Sequence, residues 1–381
     1  MEQLRIAQVA PYLHPHVGGV ESHVETLSAE LARRGHEVTV VTSRLPGTAT
    51  TERRDGYTIN RVKQRVNLFT TPVTPSVGHA LDVARPDVVH AHSPPPLTSH
   101  FASRWTRRTG TPFVLTYHCD LEIPILGGQS IVELYRRTLG KRTVLAADAL
   151  IATTRTYAQT SRALWRRDDV HVIPNAVDAS RFTPEGPSSF VRERHLIPPR
   201  SHVALFVGRL AHHKGVEEFI RAARWTGDDV THLIVGDGPR REALEALARE
   251  VAPGRIVFAG RVEPGELPAY YRCATVGVLP STSRLEAFGI AALECMASGR
   301  PVIVSDMPGV TEVIEPDVTG LLAEPLDPED LGKQIARVTS DEELAASMGK
   351  AARARVLERF TLARVADQVE RVYGGRYRGA R

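Results

Sequence analysis

Cysteine is scarce. Cys119, Cys273 and Cys295 are too few and too scattered along 381 residues for a disulfide framework or a zinc cluster, and free, mostly buried thiols are the expectation. No uninterrupted apolar run approaches the roughly eighteen residues that a membrane-spanning helix needs. Residues 1–16 lack the apolar core of a secretory leader, so the chain is expected to stay in the cytoplasm. Gly/Ser-rich and acidic tracts are missing too, which limits expected disorder to the termini, and the lack of a short repeat excludes a solenoid. Charge of one sign is not in large excess: a net +4 gives no ground for a nucleic-acid partner.

What is present is the composition of a globular protein, 42% hydrophobic and 24% charged, at a length that favours two domains over one. Short β-branched runs alternate with amphipathic stretches, the pattern of βαβ units around parallel sheets. In the first half the spacing predicts strands over 4–9, 37–42, 88–91, 113–117, 149–152 and 170–173, with helices over 20–34 and 130–147 among the connections. In the second half it predicts strands over 203–207, 232–235, 256–259, 275–279 and 301–304. Turn formers gather without periodicity over 174–189, where a hinge is expected. The fold expected is therefore α/β: two doubly wound, Rossmann-like domains facing a central cleft. Ligands then belong beyond the carboxyl ends of the strands.

Residues 1–180 carry about five more Lys and Arg than Asp and Glu, and basic residues cluster with aromatics around Trp105 and Tyr135 to Arg142. A solvated helix face accounts for this. A surface for an anionic acceptor, or a peripheral contact at the inner membrane face, is the functional alternative.

Four motifs fall in strand-to-helix loops. Glu286-Ala287-Phe288-Gly289-Ile290 runs on to Glu294, so two carboxylates eight apart bracket a helix start whose bare Gly289 suits an anion such as a diphosphate. Glu286 is placed to accept from sugar hydroxyls and Glu294 from a ribose; a capping acid and a surface glutamate are the plain alternative. Gly208-Arg209 and Lys214-Gly215 follow the first strand of their sheet, and two cations there neutralise a pyrophosphate as it leaves. Gly18-Gly19, between the first strand and first helix, permits close backbone approach to a phosphate or sugar, or makes a simple tight turn. His118 ends the strand over 113–117, where it can donate to sugar oxygens or shuttle a proton; a structural histidine is the alternative.

With these motifs in order, the chain resembles the retaining glycosyltransferases of family four, which are built of two Rossmann domains. The Glu-x7-Glu segment with internal Phe288-Gly289, the Arg209 and Lys214 pair, Gly18-Gly19, Val235-Gly236-Asp237-Gly238-Pro239 and Pro174-Asn175-Ala176-Val177-Asp178 carry the resemblance from about residue 5 to 365. It implies a hexose-type sugar moved with retention from a nucleoside diphosphate, uridine ahead of guanosine, to a hydroxyl of an unidentified glycan, lipid-linked or small acceptor. Arg209 and Lys214 would hold the diphosphate, Glu286 the sugar hydroxyls and Glu294 the ribose. Gly18, Gly19, Gly208, Phe288, Gly289 and Ile290 would line the donor, and His118 would touch its sugar. Neither cofactor nor metal is implied, and Asp-x-Asp occurs nowhere, so Arg and Lys must do the charge work. An acceptor-side domain is expected over 1–178 and a donor domain over 179–359, with a helix over about 360–381 packing back onto the first. The chain departs from the pattern at Ala176 in place of glycine, at Cys119 between His118 and Asp120, and at Ser283-Arg284-Leu285 before Glu286.

Other readings remain. Gly236-x-Gly238 opens like a nicotinamide fingerprint, but Arg241 replaces its third glycine and the next strand ends without an acid for the ribose. A sugar-nucleotide epimerase, a phosphorylase or a non-catalytic nucleotide-sugar binder would keep the same fold.

Overall fold

Central strands of a parallel sheet are covered on both faces, so they read as continuous apolar runs, and most of the β-branched runs take that role. The structure, a computed structural model, describes residues 2–16, 18–68, 71–123, 127–165 and 167–377. In the first half, the strands are β1 (Arg5–Val9), β2 (Glu37–Ser43), β3 (Thr51–Arg54), β4 (Tyr57–Val62), β5 (Asn67–Leu68), β6 (Thr71–Pro72), β7 (Val88–Ser93), β8 (Phe113–Tyr117), β9 (Ala149–Ala152) and β10 (Val170–Val172). Eight of them form one sheet in the order β10-β9-β8-β7-β1-β2-β4-β3, with β5 and β6 a separate ribbon. Only β3 runs antiparallel to its neighbour in that sheet. The order reverses at β1, whose Ile6 lies opposite Val38 of β2 on one side and Val88 of β7 on the other.

In the second half, the strands are β11 (His202–Val207), β12 (Val230–Val235), β13 (Ile256–Gly260), β14 (Val276–Leu279), β15 (Val302–Ser305) and β16 (Gly320–Ala323), all parallel in the order β13-β12-β11-β14-β15-β16. Side chains alternate between two cores as the period-two geometry of a strand demands: Val203 and Leu205 point into one, Ala204 and Phe206 into the other. The doubly wound fold expected from the alternation is present in each half.

β3, β4, β5, β6 and β16 were not anticipated. β3 is Thr-Glu-Arg-Arg, an edge strand without apolar alternation that is held by ions: Glu52 accepts from Arg54 and Arg61 (both 2.8 Å). The helix expected over 130–147 is interrupted: α-helix over Gly128–Tyr135, a π-turn over Arg136–Gly140, then α-helix over Lys141–Leu145. Cys119 is half-buried, Cys273 and Cys295 are buried, and burial pushes the Cys295 thiol up to about 12, so it is unreactive.

The chain divides into two compact units, one reaching Asn175 and resuming at Leu362, the other spanning Ala176–Thr361. These boundaries lie a few residues from the expected 178 and 359. The Val177 N–H donates to Phe360 O (2.9 Å) and Val177 bridges Thr361, tying both stretches into the second unit. The last helix, Leu362–Tyr377, belongs to the first unit; positions 378–381 of the expected helix lie outside the described residues. Its buried stripe, Val365, Ala366, Val369, Val372 and Tyr373, follows helical spacing. Arg34, at the end of the helix Gly19–Arg33, donates to Asp367 (2.6 Å), Glu370 (2.9 Å) and Ala363 O (2.7 Å).

Val369→Asp would push an unpaired carboxylate into that stripe. We expect it to cost about 3 kcal/mol and to lower the urea midpoint; an unchanged midpoint would contradict the docking of the last helix.

Candidate functional site

In the second unit the strand order reverses between β11 and β14, where Leu205 lies opposite Gly277. A doubly wound sheet offers its ligand crevice at such a point. β11 leads through Gly208 and Arg209 to a 3-10 turn over His212–Lys214, and Gly215 then starts the helix Val216–Ala222. β14 leads through 280–289 to the helix Ile290–Ala297. The two loops are pressed together. Thr282 N–H donates to His213 O (3.0 Å) and its hydroxyl to His212 O (3.2 Å). Gly215 has φ 65°, and a Cβ there would sit 1.6 Å from Pro280 O, so only glycine fits.

This approach brings Lys214 Nζ onto the Glu286 carboxylate as an ion pair, with the side chains 23% and 11% exposed. Arg209 is exposed, and its guanidinium has no partner among the described residues. His213 sits within the field of this group: burial, then the positive charge of Lys214, holds its imidazole below the ordinary value. It is a neutral neighbour that the sequence reading missed.

The Gly236-x-Gly238 turn has a different explanation from a dinucleotide loop. Gly236 (φ 134°) would place a Cβ 1.9 Å from Gly208 O, and Gly238 would place one 2.5 Å from Leu210 O. Gly208 N–H donates to Val235 O (3.0 Å) and Leu210 N–H to Asp237 O (3.0 Å). These glycines let the loop after β12 lie directly against the loop after β11.

Gly289 caps the helix Ile290–Ala297 with φ 94° and its carbonyl accepts from Ala292 N–H (3.0 Å), so the amides of Ile290 and Ala291 precede the first intrahelical bond at the positive end of the helix dipole, beside the 280–289 loop. Ile290 is half-buried at the first helical position. Phe288 goes elsewhere: its ring is 4% exposed, lies in the core and meets Phe360 edge-on (6.0 Å). Only its backbone is left for a ligand. Glu294 is also spoken for in part, since Tyr271 OH donates to its Oε2 (2.7 Å). Burial raises this carboxyl to about 7, against the lowering effect of the Tyr271 hydrogen bond and of Arg181. Tyr271 was not foreseen; it lies 23 residues earlier on the helix Leu267–Cys273.

In the first unit the order reverses between β1 and β7. Gly18 is extended (φ −171°), and a Cβ there would come 2.4 Å from Glu21 Oε2, so the glycine makes room for a carboxylate folded back over the helix start. His16 Nδ1 contacts the same carboxylate (3.0 Å). Gly19 is exposed at the first helical position, and Val17, between His16 and Gly18, lies outside the described residues.

His118 follows β8; its N–H donates to Ser93 O (2.8 Å), and its ring is buried against His92 and His23. Burial, reinforced by His23 and His90, holds its pKa well below the ordinary histidine value. At neutral pH the ring is therefore an uncharged hydrogen-bonding group. His23, His92 and His118 have nitrogens within 4.8 Å of one another, but His92 Nδ1 and His118 Nε2 are engaged with each other at 3.0 Å, in the lone-pair position a cation would need. The signal that could have found His92 is His90-Ala91-His92 in a strand: residues two apart share a face.

Residues 17–181 match the family described as Glycosyltransferase Family 4, and residues 188–355 match Glycosyl transferases group 1. A D-inositol 3-phosphate glycosyltransferase of Xylanimonas cellulosilytica is 30% identical over 367 residues, covering 88% of this chain and 87% of that protein. A glycogen synthase of Mycobacterium tuberculosis is 31% identical over 400 residues, covering 96% and 93%. The solved sucrose-phosphate synthase from Thermosynechococcus elongatus is similar in fold, with a TM-score of 0.81 at 24% identity over 98% of this chain and 99% of that one.

Glu294 makes stability depend on pH in a defined direction. Its folded pKa of about 7 exceeds the ordinary 4.5, so its contribution is complete below pH 4.5 and is lost as pH rises through 7. Between those limits the melting temperature of the native protein should fall relative to Glu294→Gln, and parallel curves would contradict the burial of this carboxyl.

Proposed function

Since the chain belongs to the GT-B glycosyltransferases, with a family 4 N-terminal half and a group 1 C-terminal half, we propose that it is a retaining, metal-independent enzyme moving a hexose-type sugar onto an acceptor hydroxyl. The coarser statement, a nucleotide-sugar-dependent glycosyltransferase, follows from the family. The observation that carries the finer one is the cluster at the β11/β14 reversal: Lys214 paired with Glu286, and Arg209 open beside them.

Breaking a glycosidic bond to a nucleoside diphosphate leaves negative charge on the β-phosphate. Fixed cations and unpaired helix amides stabilise it most where water is scarce. In this reading Arg209 and Lys214 receive the diphosphate, together with the amides at Gly289 and Ile290. Lys214 has three N–H bonds, so it can keep Glu286 in place while donating to a phosphate. Glu286 is then held with acceptor capacity for the sugar hydroxyls. Glu294, steadied by Tyr271, takes the ribose. Because burial holds its carboxyl near neutrality, it can donate to one hydroxyl as well as accept from another. Retention follows from attack on the face the phosphate leaves, with the departing oxygen taking the acceptor's proton. His118, held neutral, takes part as a hydrogen-bonding group toward the donor sugar and not as a proton reservoir.

Uridine is the base to test first. Arg209→Ala and Lys214→Gln should each weaken UDP binding about 10-fold or more by calorimetry, and Glu286→Gln should cut UDP release from UDP-glucose by about 100-fold. Wild-type behaviour in all three would remove the role assignment. An epimerase would convert the donor without acceptor, which product analysis detects.

The acceptor side has its own candidate surface. Ile131, Leu134 (66% exposed) and Leu145 (52% exposed) share the 128–145 segment with exposed Arg137, Lys141 and Arg142. Part of the local basic charge is already used: Glu133 pairs with Arg136 and Arg137, and Arg136 and Lys141 lie over the Trp165 ring at 4.8 and 4.6 Å. No described helix is long and apolar enough to cross a membrane. Exposed leucines among cations suit an acceptor presented at an anionic bilayer. Phosphatidylglycerol vesicles should retain the protein in flotation, and Leu134→Ser with Leu145→Ser should release it; equal retention by phosphatidylcholine would count against this surface.

A further inference from the structure

We propose that Gln8 and Tyr373 are positioning residues that decide which ring nitrogen of His118 carries the proton, through an unbroken line of hydrogen bonds inside the first unit. The catalytic consequence rests on the reading of His118 as a group facing the donor sugar; the line itself does not.

The line is set by distances. His118 Nε2 meets His92 Nδ1 (3.0 Å), and His92 Nε2 meets Gln8 Oε1 (2.7 Å). Gln8 Nε2 donates to Tyr373 OH (3.2 Å), Tyr373 OH meets His90 Nδ1 (2.8 Å), and His90 Nε2 meets Thr116 Oγ1 (2.7 Å). Gln8, His90, His92, Thr116, His118 and Tyr373 are all buried. Burial keeps the three histidines neutral, so each has one N–H and one lone pair to place.

The direction is set by the Gln8 amide, whose oxygen faces His92 and whose nitrogen faces Tyr373; with the amide turned over, every link would run the opposite way and leave the N–H on His118 Nδ1. A carbonyl oxygen only accepts, so Gln8 Oε1 requires N–H on His92 Nε2. His92 Nδ1 is then an acceptor and requires N–H on His118 Nε2. The lone pair of His118 is left on Nδ1, which has no partner among the described residues. At the other end the Gln8 amide uses the Tyr373 oxygen as acceptor, the Tyr373 proton goes to His90 Nδ1, and His90 Nε2–H goes to Thr116. In this sense every link has one donor and one acceptor, the Tyr373 oxygen accepting from Gln8 and donating to His90. His118 therefore presents an acceptor, suited to a sugar hydroxyl, rather than an N–H.

The residue that anchors this sense comes from the far end of the chain. Tyr373 lies on the last helix, which Arg34, Asp367 and Glu370 clamp to the helix Gly19–Arg33, and His36 Nε2 adds a contact to Glu370 (3.0 Å). Without the Tyr373 hydroxyl, Gln8 loses its acceptor and His90 loses its donor. While the hydroxyl is present the Gln8 amide can turn over only together with Tyr373, His90 and Thr116; without it the amide turns alone, which reverses the demand on His92 and so on His118.

The test uses the full chain labelled with 15N-histidine. Two-bond proton–nitrogen spectra distinguish the Nε2–H and Nδ1–H forms, with the His118 signals identified by their loss in His118→Gln. The native protein should show His118 as Nε2–H; Tyr373→Phe should show a mixture, with kcat about 10-fold lower and the KM for donor nearly unchanged. Gln8→Leu, which removes the link while leaving Tyr373 and the rest of the last helix unsubstituted, should give the same mixture. A His118 signal that stays Nε2–H in both variants would overturn the proposal. A mixture with undiminished kcat would uphold the line and instead overturn the role of His118 in transfer.

Discussion

The second unit depends on a close passage of backbone. The loop after β11 can reach Glu286 only because Gly215 takes a left-handed turn with no side chain against Pro280 O. The loop after β12 closes on the other side because Gly236 and Gly238 lie against Gly208 and Leu210. Three strand ends are thereby drawn into one rim, and the Lys214–Glu286 pair is its product. Any side chain at Gly215 would have to displace backbone, the least forgiving kind of neighbour.

Within that rim two glutamates eight residues apart have been given opposite electrostatic settings. Glu286 answers to a lysine on a neighbouring loop, whereas Glu294, one side of its helix turned inward, answers to a tyrosine hydroxyl and to the cost of burial. Their shared motif conceals this difference, because it comes from what packs around each carboxyl. One lies against a cation; the other sits where a proton is easily kept near neutral pH.

The first unit uses burial in another way. Its histidines are stripped of charge by desolvation and linked by hydrogen bonds, so their contribution is direction and not charge. That arrangement needs the final helix, which the chain supplies only after completing the second unit. A domain whose polar centre is finished by its last residues cannot assemble that centre from its N-terminal segment alone.

By itself the sequence determined the alternation of strands and helices, the two doubly wound units, and the loops in which Arg209, Lys214, Glu286 and His118 fall. Those features are written in local patterns: apolar runs, glycine at turns, charge just past a strand end. The edge strand β3 was illegible because its residues are polar and its partners are ions. Only the tertiary structure decided that Phe288 turns into the core, that Tyr271 holds Glu294, that Gly236 and Gly238 serve loop packing, and that Gln8 meets Tyr373 across 365 residues. Such contacts join segments distant in the chain, and a hydrogen bond across that distance leaves no period or spacing along the sequence from which it could be read.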